Sequence, residues 1–164
     1  MKPKPFVRSF WGIAFILILT LVLLGVKNYR TNYFGFNLDH SNLVGTLIDK
    51  KQAGTAHLIT SDTELAKLCH LTKDAQIDWQ NQVVFAFFGL TKSSDQLELT
   101  SLRRQGADVN LHYAVTPRST PTTNYPVLLT VVDRTRLIAS STLTVKFINN
   151  NTITNLFTIT PDQI

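Results

Sequence analysis

The sequence predicts a mainly β domain, an antiparallel sheet or small sandwich with one short helix, preceded by a single transmembrane helix. Three observations support this prediction. Residues 10–26 form an uncharged and almost wholly apolar run near the amino end. Several later segments alternate apolar and polar residues with the period of two that is typical of strands. Of the 21 threonines, 20 follow residue 30, and threonine is enriched in strands.

The amino-terminal segment has the order of charge and hydropathy that places a chain in a membrane. Lys2, Lys4 and Arg8 precede the apolar run, whose 17 residues would form a helix of roughly 26 Å, slightly short of a bilayer core of about 30 Å. A cleavable signal has a shorter apolar core and small residues at the cut site. Leu23 stands where a small residue is needed, and Val26 stands where a lipoprotein requires cysteine. We therefore expect an uncleaved signal anchor.

This anchor divides the chain into a cytoplasmic basic segment at 1–9, a transmembrane helix at 10–26, a juxtamembrane linker at 27–42 and an extracytoplasmic β-rich domain at 43–164. The excess of positive charge on the amino-terminal side of the run sets this orientation. Five of the 16 Lys and Arg residues lie in the first 30 residues, and the other 11 balance the 11 Asp and Glu residues. The basic character therefore reflects membrane topology and not a nucleic-acid partner. We expect a single-pass cell-membrane protein that contacts lipid through residues 10–26.

The first half of the domain is expected to contain two strands and the one short helix. Apolar residues within 42–49 and 55–60 predict the strands. Ser61 precedes Glu64 by three residues, which is the spacing of a helix capping box. A short helix over about 62–71 follows from this cap and from the apolar residues spaced along one helical face.

The second half of the domain is expected to be all strand. Two segments are apolar on both alternating faces, which predicts strands covered on both sides: 82–90 and 125–133. Two others alternate and are joined by a turn at Gln105–Asp108, which predicts a half-buried antiparallel pair: 96–104 and 109–116. Residues 141–160 predict a final hairpin that turns at Asn149–Asn151.

The side chains that could act in catalysis or bind a cofactor or metal do not form a recognisable motif. Cys69 and His70 are neighbours in the expected helix, where adjacent side chains diverge by about 100°, so we interpret Cys69 as a buried core residue and not as a nucleophile. The four histidines lack the spacing of a zinc site: His40, His57, His70 and His112. Asp95 and Glu98 are interpreted as solvated charges beside a turn rather than as a catalytic pair. We expect no enzymatic activity.

One loop is the best candidate for an interaction surface: Pro117, Arg118, Ser119, Thr120, Pro121, Thr122, Thr123 and Asn124. Its prolines fix φ, which lowers the entropy lost on binding, and the strands on either side hold its ends. The turn Thr91–Asp95 is expected at the same end of the sheet if strands 83–90 and 109–116 run in the same sense. The alternative is that the loop is only a solvated connection.

Residues 58–133 resemble the PrcB C-terminal family, a group of bacterial domains named for a protease-associated polypeptide. The resemblance rests on the helix segment SDTELAKL, on Asp78-Trp79, on the strand Val83 to Gly89, on the strand Val109 to Val115, and on Tyr125-Pro126 in inverted order. The family usually has a Thr-Gly-Gly-Tyr turn after the glycine, where this sequence has LTKSSDQ. The resemblance implies an exported accessory domain, associated in some members with a surface protease complex. It supplies no catalytic residues.

Three classes of function follow. The leading expectation is a membrane-anchored extracytoplasmic binding or accessory module of a bacterial cell envelope, with a protein partner such as a surface protease or envelope enzyme. The alternative is a structural subunit of a multi-protein membrane assembly. A third class is a hydrolase without a recognisable motif.

Overall fold

A computed structural model describes residues 5–29, 35–73, 75–117, 124–139 and 141–164, with side chains described from residue 12. The first element, α1 (Pro5–Tyr29), extends beyond the predicted span at both ends, and its 25 residues measure about 37 Å. The window Gly12–Tyr29 has a mean hydropathy of 2.0, and 0% of it is buried. By length and composition α1 can cross a membrane, although a signal sequence near the amino end has the same properties.

The rest of the described chain is mainly β, as predicted, with one short α-helix, α2 (Asp62–Leu68). The strands are β1 (Phe36–Asn37), β2 (His40–Leu43), β3 (Gly45–Leu47), β4 (Ala56–Ile59), β5 (Cys69–Leu71), β6 (Gln82–Phe88), β7 (Gln96–Gln105), β8 (Asp108–Thr116), β9 (Val127–Asp133), β10 (Leu143–Asn149) and β11 (Thr152–Ile159). A five-stranded sheet has the order β1-β7-β8-β10-β11, and a four-stranded sheet has the order β2-β9-β6-β4. Strands β3 and β5 form a separate pair.

The two larger sheets pack face to face and enclose the main core. Side chains from both sheets form this buried cluster, including Phe85 and Phe87 of β6, Leu111 of β8 and Phe147 of β10. The rings of Phe87 and Phe147 stack with centroids 5.2 Å apart. Strand alternation directs every second side chain into this layer, so the expected sandwich is confirmed.

A second buried cluster covers the opposite face of the four-stranded sheet. Val84 and Phe88 of β6 and Leu129 of β9 pack there against Leu65 of α2 and Cys69 of β5. Strands β6 and β9 are therefore covered on both sides, which explains why their sequences are apolar without alternation. The prediction of two fully covered strands is confirmed.

One ladder departs from the antiparallel expectation. Strand β10 pairs with β8 in parallel, with Val145 opposite Val109, whereas the other described ladders are antiparallel. The reason is that β9, which lies between them in sequence, joins the four-stranded sheet. The chain must cross to that sheet and return, and this crossover brings β10 beside β8 in the same direction.

The predicted linker at 27–42 is too long at its carboxyl end. Phe36 and Asn37 pair with Arg104 and Arg103 of β7, and β2 begins at His40. Between these strands Leu38 is only 2% exposed. Both strands are short and lie at sheet edges, so they lack the alternation that marks longer strands. The β structure therefore begins at Phe36 and not at residue 43.

The predicted strand at 42–49 is divided, and the predicted helix at 62–71 is too long. Val44 separates β2 from β3. The cap on α2 is present, since the Ser61 hydroxyl accepts a hydrogen bond from the Glu64 N–H at 3.3 Å. The helix ends at Leu68, however, and the next three residues form β5 beside β3.

Candidate binding groove

The predicted interaction loop begins and ends at one end of the sandwich. Pro117 follows β8, whose last residue pairs with Gln96 at the start of β7. Asn124 forms an isolated bridge with Ser93, whose N–H donates a hydrogen bond to the Asn124 carbonyl at 3.0 Å. The turn at 91–95 therefore adjoins the loop at this bridge. Residues 118–123 lie outside the described residues, so the loop's role in binding stays a prediction.

An open groove with a volume of about 370 Å³ lies beside these loop ends. Its lining comes from Asn42–Thr46, Thr72, Ser93–Leu99 and Asn124–Leu129. The apolar part of the lining includes Leu97 and Leu128, which also belong to the main core. The groove is thus a place where the space between the two sheets opens to the surface.

The groove exists because β1 covers only part of the edge of β7. Strand β1 pairs with Arg103 and Arg104, and the Leu38 N–H then donates to the Leu102 carbonyl at 3.0 Å. From Leu38 the chain leaves this sheet and enters β2 in the other one. On this side, no strand among the described residues pairs with β7 at Leu97–Leu99.

The neighbouring edge of β9 is also incomplete. Strand β2 pairs with β9 from Val132 to Leu129, where it ends at Leu43. The chain then turns toward β3, and the Val44 carbonyl accepts a hydrogen bond from Thr72 at 2.8 Å. Within the described ranges, no strand continues the β2 side of β9 at Val127–Leu128. Two strand edges therefore meet the groove.

The charged residues that line the groove are both acidic. Among the described residues of the lining, Asp95 and Glu98 are acidic, and none is Lys, Arg or His. Neither carboxylate forms a salt bridge with any described residue, and no hydrogen bond joins the two. Lys92 Nζ lies 5.9 Å from the centre of the ring of Tyr125, which lines the groove. Leu97 is buried and Glu98 is exposed on the opposite face of β7, so the two acids place negative charge without a salt bridge at this end of β7, beside the groove.

Cys69 has the environment of a structural residue, as predicted. It is 2% exposed in β5, and burial raises the pKa of its thiol from 9.0 to about 12. His70 is exposed on the opposite side of the strand, because successive strand residues point to opposite faces. The neutral thiol is a poor nucleophile, and the adjacent imidazole points away from it.

His57 is half-buried and makes local contacts. His57 Nε2 lies 2.6 Å from the Thr55 hydroxyl, its ring lies 5.6 Å from that of Phe88, and burial lowers its pKa. Within the part of the chain that the structure describes, no group of three or more His, Cys, Asp or Glu side chains is arranged to hold a metal ion.

Two of the positions from which a PrcB-like domain was expected have structural roles in this fold. The Asp78 carboxylate accepts hydrogen bonds from Asn81 Nδ2 at 2.8 Å and from the Gln80 N–H at 3.1 Å, which closes the turn before β6. The Gly89 N–H donates to the Pro126 carbonyl at 2.7 Å, and a Cβ at Gly89 would lie 2.8 Å from Pro126 Cδ. These residues shape turns and strand ends, so they indicate a fold rather than a reaction.

Sequence reasoning predicted an interaction loop at 117–124, of whose described ends Asn124 lines the groove and Pro117 does not. It interpreted Asp95 and Glu98 as solvated charges beside a turn. It missed the contribution of 42–46, because that segment reaches the groove only through the crossing from one sheet to the other.

A scan against models of protein families finds no match, and searches of curated proteins and of solved structures find none either.

Proposed function

We propose that this protein is a membrane-anchored accessory module whose β domain binds a protein partner outside the cytoplasm. The observation that carries the proposal is the exposure of α1. Its large apolar side chains from Ile13 to Val26 are 48% to 67% exposed. An apolar surface of this extent is unfavourable in water, and a lipid bilayer is the environment that matches it.

The orientation in this proposal follows from charge. Lys2, Lys4 and Arg8 precede the helix, and positive residues favour the cytoplasmic side. The β domain would then lie outside, where it needs no disulfide because the sandwich and its second layer provide two buried clusters.

Binding is favoured over catalysis by the groove and its surroundings. The groove combines two incomplete strand edges with an acidic lining, which are features of a recognition surface. The thiol of Cys69 is buried, and partial burial lowers the pKa of His57, whose ring packs beside Phe88. The PrcB resemblance supports an accessory role toward a surface protease or an envelope enzyme.

Membrane retention is tested by fractionating cells that express the full chain. We expect the protein to sediment with membranes, to resist carbonate extraction, and to keep Met1 or Lys2 at its amino end in mass spectra. The control replaces residues 1–30 with a cleavable export signal, which should release a soluble domain. An amino terminus near Val26 in the unaltered protein would show instead that α1 is a signal peptide.

The nature of the partner interaction is tested by cross-linking both forms in the same cells. A free-standing module keeps its partner when the anchor is replaced, because the contacts lie in the β domain. A structural subunit of a membrane assembly loses it, because its contacts would include α1. Loss of the partner from the soluble form, with the domain still folded, would therefore favour the assembly function.

A further inference from the structure

We propose that the groove binds an extended, basic segment of a partner polypeptide, which adds as a strand to the open edge of β7. This inference rests on the proposed binding function and specifies its site and the chemistry of its ligand. Two independent features support it: the unfilled strand edges and the charge of the lining.

The strand edges determine the conformation of the ligand. Residues Leu97–Leu99 of β7 pair with β8 on one side. On the other side, the pairing of β7 with β1 ends where Asn37 lies opposite Arg103. A strand edge offers N–H and C=O groups in a row, and an extended peptide satisfies them by continuing the sheet. Three residues from Leu97 to Leu99 measure about 10 Å, which allows roughly three ligand residues to pair.

The shape of the groove favours a peptide over a small ligand. Its lining includes the start of β7 and the start of β9, and it is open to the surface, so a chain segment can enter it from outside. Leu97 and Leu128 give an apolar surface to alternate side chains of the ligand. The rim contains Ser93, Ser94 and Asn124, which offer donors and acceptors.

The charge of the groove determines the composition of the ligand. Asp95 lines it, Glu98 is exposed on the solvent face of the same stretch of β7, where an added strand would also place side chains, and no described cation forms a salt bridge with either carboxylate. A ligand with Lys or Arg would supply that charge, whereas an acidic ligand would be repelled. We therefore expect a basic extended segment.

The experiment selects peptides from a phage-displayed library of random nonapeptides on the full chain, held in detergent micelles. We expect the selected peptides to be enriched in Lys or Arg and poor in Pro, which cannot donate to a strand edge. A selection without binders, or with peptides that lack basic enrichment, would overturn the proposal.

Affinity measurements on a selected peptide then locate the contact. In the double variant Asp95→Asn/Glu98→Gln we expect the Kd to rise about fivefold at low salt, as two exposed ion pairs are lost. The control is Asp39→Asn, an exposed acid outside the groove lining, which should leave the Kd unchanged. Equal affinity for the double variant and the control would contradict the proposed site.

The strand addition has its own measurement. Peptide binding should slow hydrogen exchange at those amides of Leu97–Leu99 that do not already bond to β8, and N-methylation at alternate peptide positions should abolish binding although the charge is kept. Unchanged exchange there, or dimerisation of the chain through the same acidic residues, would overturn the proposal. Because this assay uses solubilised protein, its failure leaves the result on membrane retention intact, and cleavage of α1 in cells would leave the groove result intact.

Discussion

The four-stranded and five-stranded sheets differ in how many of their faces are covered. In β6, Val83 and Val84 point to opposite faces, and both are 0% exposed. In β8, by contrast, Val109 and Leu111 are fully buried, while the alternate residues Asn110 and His112 are only half-buried. This difference shows that the pattern of apolar residues along a strand depends on whether one or both of its faces are covered. A third layer of α2, β3 and β5 turns an alternating pattern into a continuous apolar one.

The largest effect is expected in the layer that the two sheets share. Phe85 is 0% exposed in β6, and its ring lies 6.2 Å from that of Phe157 in β11. Phe85→Ala should reduce the free energy of unfolding by about 3–5 kcal/mol, because it leaves a cavity between the sheets. Urea unfolding of the full chain in detergent, followed by circular dichroism, measures this loss. A loss below about 1 kcal/mol would mean that the sheets do not enclose a packed core.

Two leucines allow the covered outer face of the four-stranded sheet to be compared with the exposed outer face of the five-stranded sheet. Leu129 in β9 is 0% exposed under the third layer, whereas Leu156 in β11 is 55% exposed. Leu129→Ala should cost about 2–5 kcal/mol, and Leu156→Ala less than about 0.5 kcal/mol, since only the first removes packed atoms. The same urea titration measures both variants. Similar losses in the two would contradict the difference between the sheets.

Cys69 tests the third layer with a smaller change. Cys69→Ala should fold and lose about 1–2 kcal/mol of unfolding free energy, because a small buried side chain is removed. In the native wild type, a thiol reagent at pH 8 should react only after unfolding. Rapid reaction of the folded protein, or complete loss of partner binding in a normally folded variant, would restore the thiol as a functional group.

The same thiol gives a pH dependence whose sign follows from its environment. Burial raises the pKa of Cys69 from 9.0 to about 12, so the folded state favours the neutral thiol. Its contribution to stability is complete below pH 9 and is lost as pH rises toward 12. The stability difference between wild type and Cys69→Ala should therefore shrink across that window. A difference that stays constant would mean that the thiol is not buried.

The smallest effect is expected on the solvated face of the five-stranded sheet. Lys146 Nζ lies 2.6 Å from Asp108 Oδ2, and the two side chains are 24% and 42% exposed. A double-mutant cycle with Lys146→Met and Asp108→Asn should give a coupling energy of about 0.5 kcal/mol that falls with salt. A coupling above about 2 kcal/mol would indicate that this face is covered in the folded protein.

The elements that the sequence predicts well are those whose signal is local. The pattern of β8 predicts its buried face at Val109, Leu111 and Tyr113, and only Val115, near the strand end, is 45% exposed instead. The final hairpin is also local. Asn150 and Asn151 have φ of 48° and 62°, as a two-residue turn with both positions left-handed requires, and asparagine tolerates this conformation.

The features that sequence reasoning missed depend on distant parts of the chain. No local pattern shows that β10 lies parallel to β8, because that depends on where β9 is placed. Strand β1 has only Phe36 and Asn37, so its pairing with β7 leaves no periodic signal. The groove has the same origin, since it lies where β1 and β2 stop covering their neighbours. Of its lining residues, the sequence analysis named Asn124 as a loop end and Asp95 and Glu98 only as solvated charges beside a turn.

The crossing from β1 to β2 also has a mechanical consequence. Within a few residues after α1, the chain pairs first with β7 of one sheet and then with β9 of the other, and Leu38 is buried between the two. Any tension along the chain from a membrane-held helix would therefore load both sheets at once. Two ladders and a buried side chain must yield before the strands behind them are pulled. The crossing from β1 to β2 would thus distribute such a force over both sheets, so that no single edge strand is pulled away first.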